Sequence, residues 1–197
     1  MSSVAIPRYS LEEYLARERV ASYMSEFFRG QISPRASCSP RHNTISGNLL
    51  ASLRNRLRGS PCRPYNSDQR IRIPANGLST YPDVSVVCGE LQTDAVDREA
   101  IINPRVIFEV LSKSTESYDR GKKFDLYRQL ESLREYILVA QDEPQVERFT
   151  RQPDDSWLLT VLKGLDAVLE LQTVAAALPL SEIYEEVTFG PEEALPG

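Results

Sequence analysis

The chain has 197 residues, room for one single-core domain, and its 41% hydrophobic and 26% charged residues are the proportions of an ordinary globular protein. No apolar run approaches the ~20 residues that cross a bilayer, and the start lacks the basic-then-apolar pattern of a secretory signal, so neither a membrane span nor export is expected. Three well-separated cysteines and one histidine argue against a disulfide framework, a zinc cluster and histidine-based catalysis, and fit a reducing cytoplasm.

In chain order, Ser10-Leu-Glu-Glu13 is a capping box that opens a short helix to about Arg17. The aromatic cluster of Tyr23–Ile32 favours extended structure bending at Gly30. A Pro/Ser-rich loop follows. Ser39 then offers an N-cap with Pro40 at the first helical position, and Gly59 lies just past the end. Between them Ile45, Leu49, Leu53 and Leu57 recur every four residues, the mark of an amphipathic helix. Strands are expected over Cys62–Ile73 and Tyr81–Cys88, with a turn near Asn76-Gly77. An acidic loop, Gly89–Asn103, leads to a buried strand, Val106–Leu111. A helix at about Ser117–Leu130 and strands at Glu135–Ala140, Gln145–Thr150, Trp157–Leu162 and Val168–Leu171 complete the pattern. This is an α/β chain with a mixed sheet flanked by helices. Residues 1–9 read as an arm, 10–187 as one domain and 188–197 as a flexible acidic tail.

Two residues stand out against this pattern. Glu109 is a lone carboxylate inside an apolar strand, which is costly unless the charge is paired or binds a metal. Lys123 points into the apolar face formed by Phe124, Leu126, Tyr127 and Leu130, with Asp119 on the same face four residues earlier. Placing the strands Tyr81–Cys88 and Val106–Leu111 antiparallel, with Cys88 against Pro104, sets Asp83 directly opposite Glu109 on one face of the sheet. Two opposed carboxylates repel unless a cation lies between them. Oxygen-only donors suit Mg²⁺, and a nearby lysine could hold an attacking water or share transition-state charge. On that basis Asp83→Asn is expected to stabilise the metal-free protein. Each residue also has a plainer reading: Asp83 as a strand-entry turn residue, Glu109 paired with an internal arginine, and Lys123 snorkelling to Asp119.

Charge is unevenly spread. The net value is −5, yet Arg35 to Arg72 holds eight arginines, no lysine and a single acid, Asp68. Such segregation makes a local basic surface, and arginine suits phosphate. Arg54 and Arg58 on the helix, with Arg63, Arg70 and Arg72, are the candidate nucleic-acid contacts; a solvated helix face and its loops is the plainer reading.

The segments YPDVSVV and FEVLSKSTESYDRGKKFDLYRQLESLREYILV resemble the Uma-two family of bacterial restriction endonucleases, within the PD-(D/E)xK nuclease superfamily. Glu26-Phe-Phe-Arg-Gly30-Gln-Ile, His42-Asn-Thr-Ile with Asn48-Leu-Leu, and Leu178-Pro-Leu-x-x-Ile-Tyr184 extend the likeness over most of the chain. The resemblance implies a restriction-endonuclease-like core and Mg²⁺- or Mn²⁺-dependent cleavage of DNA, with Asp83 and Glu109 as metal carboxylates and Glu26 as an additional acid. The Val110 carbonyl is expected as a further ligand, and a homodimer without organic cofactor is implied. The sequence departs from the superfamily pattern at Leu111, where a lysine belongs. Lys123 takes that role in preference to Lys113, and His42 is left as structural. The rival readings are a nuclease-like fold that binds DNA or protein without cutting it, and a metal-independent glycoside hydrolase.

Overall fold

The computed structural model describes residues 7–190. Residues 1–6 of the expected arm and 191–197 of the expected tail lie outside the described residues. Within them, Tyr9 N–H donates to Gly30 O at 2.9 Å, and the Phe189 ring rests against Tyr184 with centroids 5.4 Å apart. Those flanking residues therefore pack on the domain.

Helix α1 (Leu11–Glu18) begins at the expected capping box, with Ser10 and Glu13 bonded reciprocally. Strands β1 (Ser25–Phe28) and β2 (Gln31–Pro34) form a hairpin. Arg29 and Gly30 both take positive φ at its turn, the conformation that matches strand twist in a two-residue loop. Gly30 is also approached closely by Arg8 and Tyr9, so a side chain there would be strained on two counts. Helix α2 (Pro40–Arg56) starts at Ser39, whose hydroxyl accepts from His42 N–H. Ile45, Leu49 and Leu53 are fully buried, as their spacing requires.

The stretch expected as one strand over Cys62–Ile73 is divided between two sheets. Strand β3 (Cys62–Tyr65) joins the central sheet, and β4 (Ile71–Ile73) pairs with β5 (Leu78–Thr80). The four-stranded sheet runs β2-β1-β5-β4. The central six-stranded sheet runs β10-β9-β8-β7-β6-β3, from β6 (Val84–Cys88), β7 (Val106–Val110), β8 (Glu135–Val139), β9 (Gln145–Arg151) and β10 (Trp157–Lys163). Only β7 and β8 are parallel within it. A hairpin of β11 (Val168–Leu171) and β12 (Ala176–Pro179) and the short α5 (Leu180–Ile183) complete the chain.

Alternation along β7 divides the core. Val106, Phe108 and Val110 face the α2 layer with Ile45, Leu49 and Leu53. Ile107 and Leu111 face the opposite layer with Leu126, Tyr127 and Tyr136. Emptying such a position, as in Leu49→Ala, typically costs 2–5 kcal/mol. Between Ile107 and Leu111, on that second face, stands Glu109.

The crossover from β7 to β8 departs from the single helix expected over Ser117–Leu130. A turn of helix, α3 (Glu116–Tyr118), widens into a π-helical turn at Asp119–Lys123 and narrows again in α4 (Phe124–Tyr127). Apolar periodicity reads a face but not the width of a turn. The Tyr136 hydroxyl donates to Asp119 O at 3.0 Å, an extra donor at the widened turn.

The expectation of unpaired cysteines is also corrected. Cys62 and Cys88 are directly opposed across β3 and β6 and joined by a disulfide. Their separation of 26 residues in sequence conceals a cross-strand pairing in space. Cys38 is free and exposed. Among the described residues, no helix is long and apolar enough to cross a membrane.

Candidate active site

The register between β6 and β7 pairs Val84 with Phe108, Ser85 with Ile107 and Val86 with Val106. One step beyond the last pair of the ladder brings Asp83, which lies just outside β6, to the level of Glu109. Both are buried. Pro82 and Asp83 precede β6, so β7 outruns its neighbour by two residues, Glu109 and Val110. The backbone N–H of Val110, left without a strand partner on that side, donates to Asp83 Oδ2 at 2.7 Å. A strand residue directs its N–H and C=O to the same side, so the Val110 carbonyl also faces Asp83.

The other oxygen of Asp83 carries two cations. Arg35 Nη2 and His42 Nε2 each lie 2.9 Å from Oδ1. Arg35 comes from the loop after β2 and is braced by the Ser67 carbonyl at 3.1 Å. His42 comes from the first turn of α2. Burial acts to raise the Asp83 pKa, but the His42 hydrogen bond and charge and the Val110 N–H outweigh it, and the net shift is downward. For His42, burial acts downward, and the bonds to Asp83 and Cys38 carry the value up to about 10. The ring is therefore an imidazolium at neutral pH, donating to Asp83. The like-charge repulsion expected at Asp83 is already relieved from within the chain.

Glu109 is neutralised from the opposite layer. Lys123 Nζ lies 2.8 Å from Glu109 Oε1, and the Tyr127 hydroxyl donates to that same oxygen at 2.9 Å. The ammonium also meets Asp119 Oδ1 at 3.3 Å and Glu26 Oε1 at 3.7 Å. Glu26 is fixed in turn by Thr80 Oγ1. Burial works against a charged Lys123, yet three carboxylates overcome it and hold the ammonium protonated well beyond the ordinary lysine range. Glu109 moves the other way for an acid. Burial is the largest cause, Lys123 opposes it, and Asp119 and Asp83 add to it, so its pKa is pushed up to about 8.

These groups open into one cleft of about 420 Å³ whose walls are the Arg35–His42 segment and the Ser112–Thr115 corner. Asp83, Glu109, Lys123, Glu26 and Val110 all line it. Lys113 lines it too, as an exposed side chain. Leu111 is buried in the core, so the position expected to carry a lysine supplies packing instead.

Two residues of the cleft lie outside the catalytic set read from the sequence. For His42, in the first turn after the Ser39-Pro40 cap, the sequence allows a contact with the site but favours a structural role. Arg35 sits in a loop with no periodicity, where only the local excess of arginine was a hint.

Two of the five candidate phosphate contacts, Arg70 and Arg72, are turned inward. Arg70 is buried, with its guanidinium on Asp97 at 2.5 and 2.9 Å and on the Tyr81 hydroxyl at 2.6 Å. Arg72 is turned to Asp94 at 3.3 Å and Ser79 at 3.1 Å. Both are committed to internal partners. Arg54 and Arg58 are exposed, but Arg54 lies twelve residues beyond His42 along α2, roughly 18 Å at 1.5 Å per residue. Arg63 pairs with Val87, at the end of β6 remote from Asp83. None of these three converges on the cleft.

Comparison with known proteins bears on the family and the fold. A family model described as "Putative restriction endonuclease", Uma2, matches residues 11–181. The uncharacterized protein slr1290 of Synechocystis sp. (strain ATCC 27184 / PCC 6803 / Kazusa) is 35% identical over 187 residues, covering 95% of this chain and 97% of that one. A second protein of that organism, the uncharacterized sll1609, is 37% identical over 158 residues, covering 80% and 89%. A solved structure from Anabaena variabilis ATCC 29413, titled as a "putative nuclease belonging to DUF820", superposes with a TM-score of 0.72 at 17% identity. It covers 91% of this chain and 99% of that one, and shares its fold. On the extent of the family match and of the Synechocystis relatives, the chain belongs to the Uma2 family.

Proposed function

We propose that this protein is a metal-dependent DNA endonuclease of the PD-(D/E)xK kind, hydrolysing phosphodiester bonds with Mg²⁺ or Mn²⁺. The observation that carries the reading is the convergence of Asp83, Glu109 and Lys123 where β7 outruns β6. The donors suit a hard cation. They are carboxylate and carbonyl oxygens, and both hydrogen bonds to Glu109 fall on Oε1. Burial chiefly raises the Glu109 pKa, against the opposing Lys123, and the Asp119 and Asp83 charges add to it, so a cation beside this carboxylate would favour its ionised form. Among the described residues no three of His, Cys, Asp and Glu stand together as a ready metal cluster; the third protein ligand would be the Val110 carbonyl. Asp83, Glu109 and that carbonyl would hold the ion. It would supply Lewis-acid stabilisation of the phosphoryl oxygens and a more acidic bound water.

The chain's own groups do the rest. Lys123 stands against the Glu109 carboxylate, where an ammonium can hold a water in line and offset charge building on the phosphoryl group. Glu26 and Asp119 keep that ammonium protonated and in place. The exposed Lys113 flanks the opening as a candidate contact for the phosphates of DNA, and Arg35, bonded to Asp83 and Ser67, would join it once a bound cation takes its place on Asp83. Contacts of that kind give affinity and salt dependence rather than sequence choice. A homodimer would bring two such clefts to the two strands of a duplex.

A second reading has a specific observation behind it. Asp83 is charge-satisfied by Arg35 and His42 without any ion, and the usual lysine position is Leu111, as in a nuclease-like fold that binds without cutting. A crystal grown with Mn²⁺ separates the two. Anomalous density within ~2.0–2.6 Å of oxygens of both Asp83 and Glu109 supports the enzyme. A cleft without that density at millimolar Mn²⁺, with Arg35 still on Asp83, supports the binding module.

A further inference from the structure

The two edges of the central sheet are built differently. At one end, β3 is four residues long and carries Pro64 and the exposed Arg63, devices that discourage further pairing. At the other end, β10 runs for seven residues, WLLTVLK, with no proline and one charge, at its last position. Leu158, Leu159 and Val161 on this strand are 56%, 47% and 45% exposed. A long apolar edge of this kind is a template for another strand, and a folded protein normally covers it.

The backbone says which groups are available. Gln152 N–H bonds Ser156 O and Gly164 N–H bonds Pro144 O, so even-numbered residues from 156 to 164 face β9. Trp157, Leu159, Val161 and Lys163 therefore direct their N–H and C=O groups outward. The chemistry that satisfies that row is an extended strand.

We propose that β10 pairs antiparallel with β10 of a second copy of this chain, about a two-fold axis at Thr160, joining two six-stranded sheets into one. In that register Leu159 exchanges backbone bonds with Val161 of the other copy, and Trp157 with Lys163. Leu158 faces Leu162, and Thr160 faces itself as a non-hydrogen-bonded pair. Odd shifts of register are excluded because outward groups would meet inward ones. Shifts by two leave an outward-facing residue unpaired at the end of each strand. The Thr160 register alone uses all seven residues, sets apolar side chains against apolar ones and lays the Lys163 ammonium near an indole rather than another cation. A strand-pair interface sits at the low end of the size range, so micromolar association is expected. The inference stands apart from the chemistry of the cleft.

The test is sedimentation equilibrium of the full chain from about 1 to about 100 μM, a range bracketing that affinity, with cross-linking in a Cys38→Ser background. Dimers should form with concentration. Thr160→Cys should link to itself under mild oxidation, since opposed non-bonded positions lie within disulfide reach. Leu158→Cys should not, because its two copies lie four residues apart along the ladder. Val161→Pro removes an outward N–H without touching the β9 ladder, and should sediment as a folded monomer. Thr160→Lys, which leaves every backbone bond in place, should do the same by setting like charges on the axis. A monomer throughout that range would overturn the proposal, as would a dimer undiminished in both Val161→Pro and Thr160→Lys, or Leu158→Cys linking as readily as Thr160→Cys.

Discussion

Lys123 reaches from the π-helical turn to within 2.8 Å of Glu109, at the end of β7 that outruns β6. Two costly burials thereby offset each other. The arrangement is demanding, because the ammonium also serves Asp119 and Glu26. Removing it leaves three carboxylates without their common partner. Lys123→Met should therefore lower the stability of the metal-free protein by about 3–5 kcal/mol, the usual cost of breaking a buried pair from one side. Added Mg²⁺ should restore part of the loss while cleavage stays at least ~100-fold down. Urea titration with and without Mg²⁺ measures the first, and plasmid nicking the second. Undiminished cleavage would transfer the role to Lys113.

Asp83 behaves differently from what opposed carboxylates suggested. Its partners are Arg35, His42 and the Val110 N–H, so Asp83→Asn removes a satisfied charge rather than a repelled one. A destabilisation of about 1–3 kcal/mol is expected in the absence of metal. A rise in urea midpoint would show that repulsion dominates after all.

The metal-free protein should lose stability as pH rises from about 5 to 10. Glu109 keeps a proton in the folded state up to about 8, while the unfolded chain releases it near 4.5. His42 keeps its proton up to about 10, against 6.5 unfolded. In both cases the folded state binds more protons, so the slope of stability with pH is negative across each window. Unfolding free energies from urea titration in EDTA should fall through this range by an amount on the order of a few kcal/mol. Glu109→Gln should flatten the curve below about pH 6.5, lessen its slope between there and about 8, where His42 still contributes, and leave the part above unchanged. A flat profile in the unmutated protein would contradict the charge assignment.

Arg70 and the cleft can be separated experimentally. Arg70→Ala strips a buried carboxylate, Asp97, of its partner and should cost about 3–5 kcal/mol. Arg54→Ala, Arg58→Ala and Arg63→Ala should change stability and the salt dependence of DNA binding little. Arg35→Ala should reduce that salt slope by about one. Filter binding across a salt series decides between these roles.

Much of this arrangement is legible in the sequence, because regular elements write their burial into periodicity. The four-residue spacing from Ile45 to Leu57 gave α2. The apolar run around Glu109 gave β7, and register arithmetic set Asp83 opposite it. Lys123 on an apolar helix face was equally visible. Features set by tertiary contacts left no such mark. The split of Cys62–Ile73 between two sheets depends on where the chain can turn and pair. The Cys62–Cys88 disulfide depends on strand order, and the widened turn at Asp119–Lys123 meets a bond from Tyr136, a residue of β8. Arg35 lies in an aperiodic loop, so its position on Asp83 had no pattern to reveal it.

In the proposed reaction Asp83, Glu109 and Lys123 cut DNA with the help of a divalent cation, and supercoiled plasmid incubated with the protein and Mg²⁺ or Mn²⁺ is the direct test. Nicked and linear products are expected, and they should vanish with chelator and in Asp83→Ala and Glu109→Ala proteins. Intact supercoiled plasmid in both metals, with DNA retained by the protein, would contradict it.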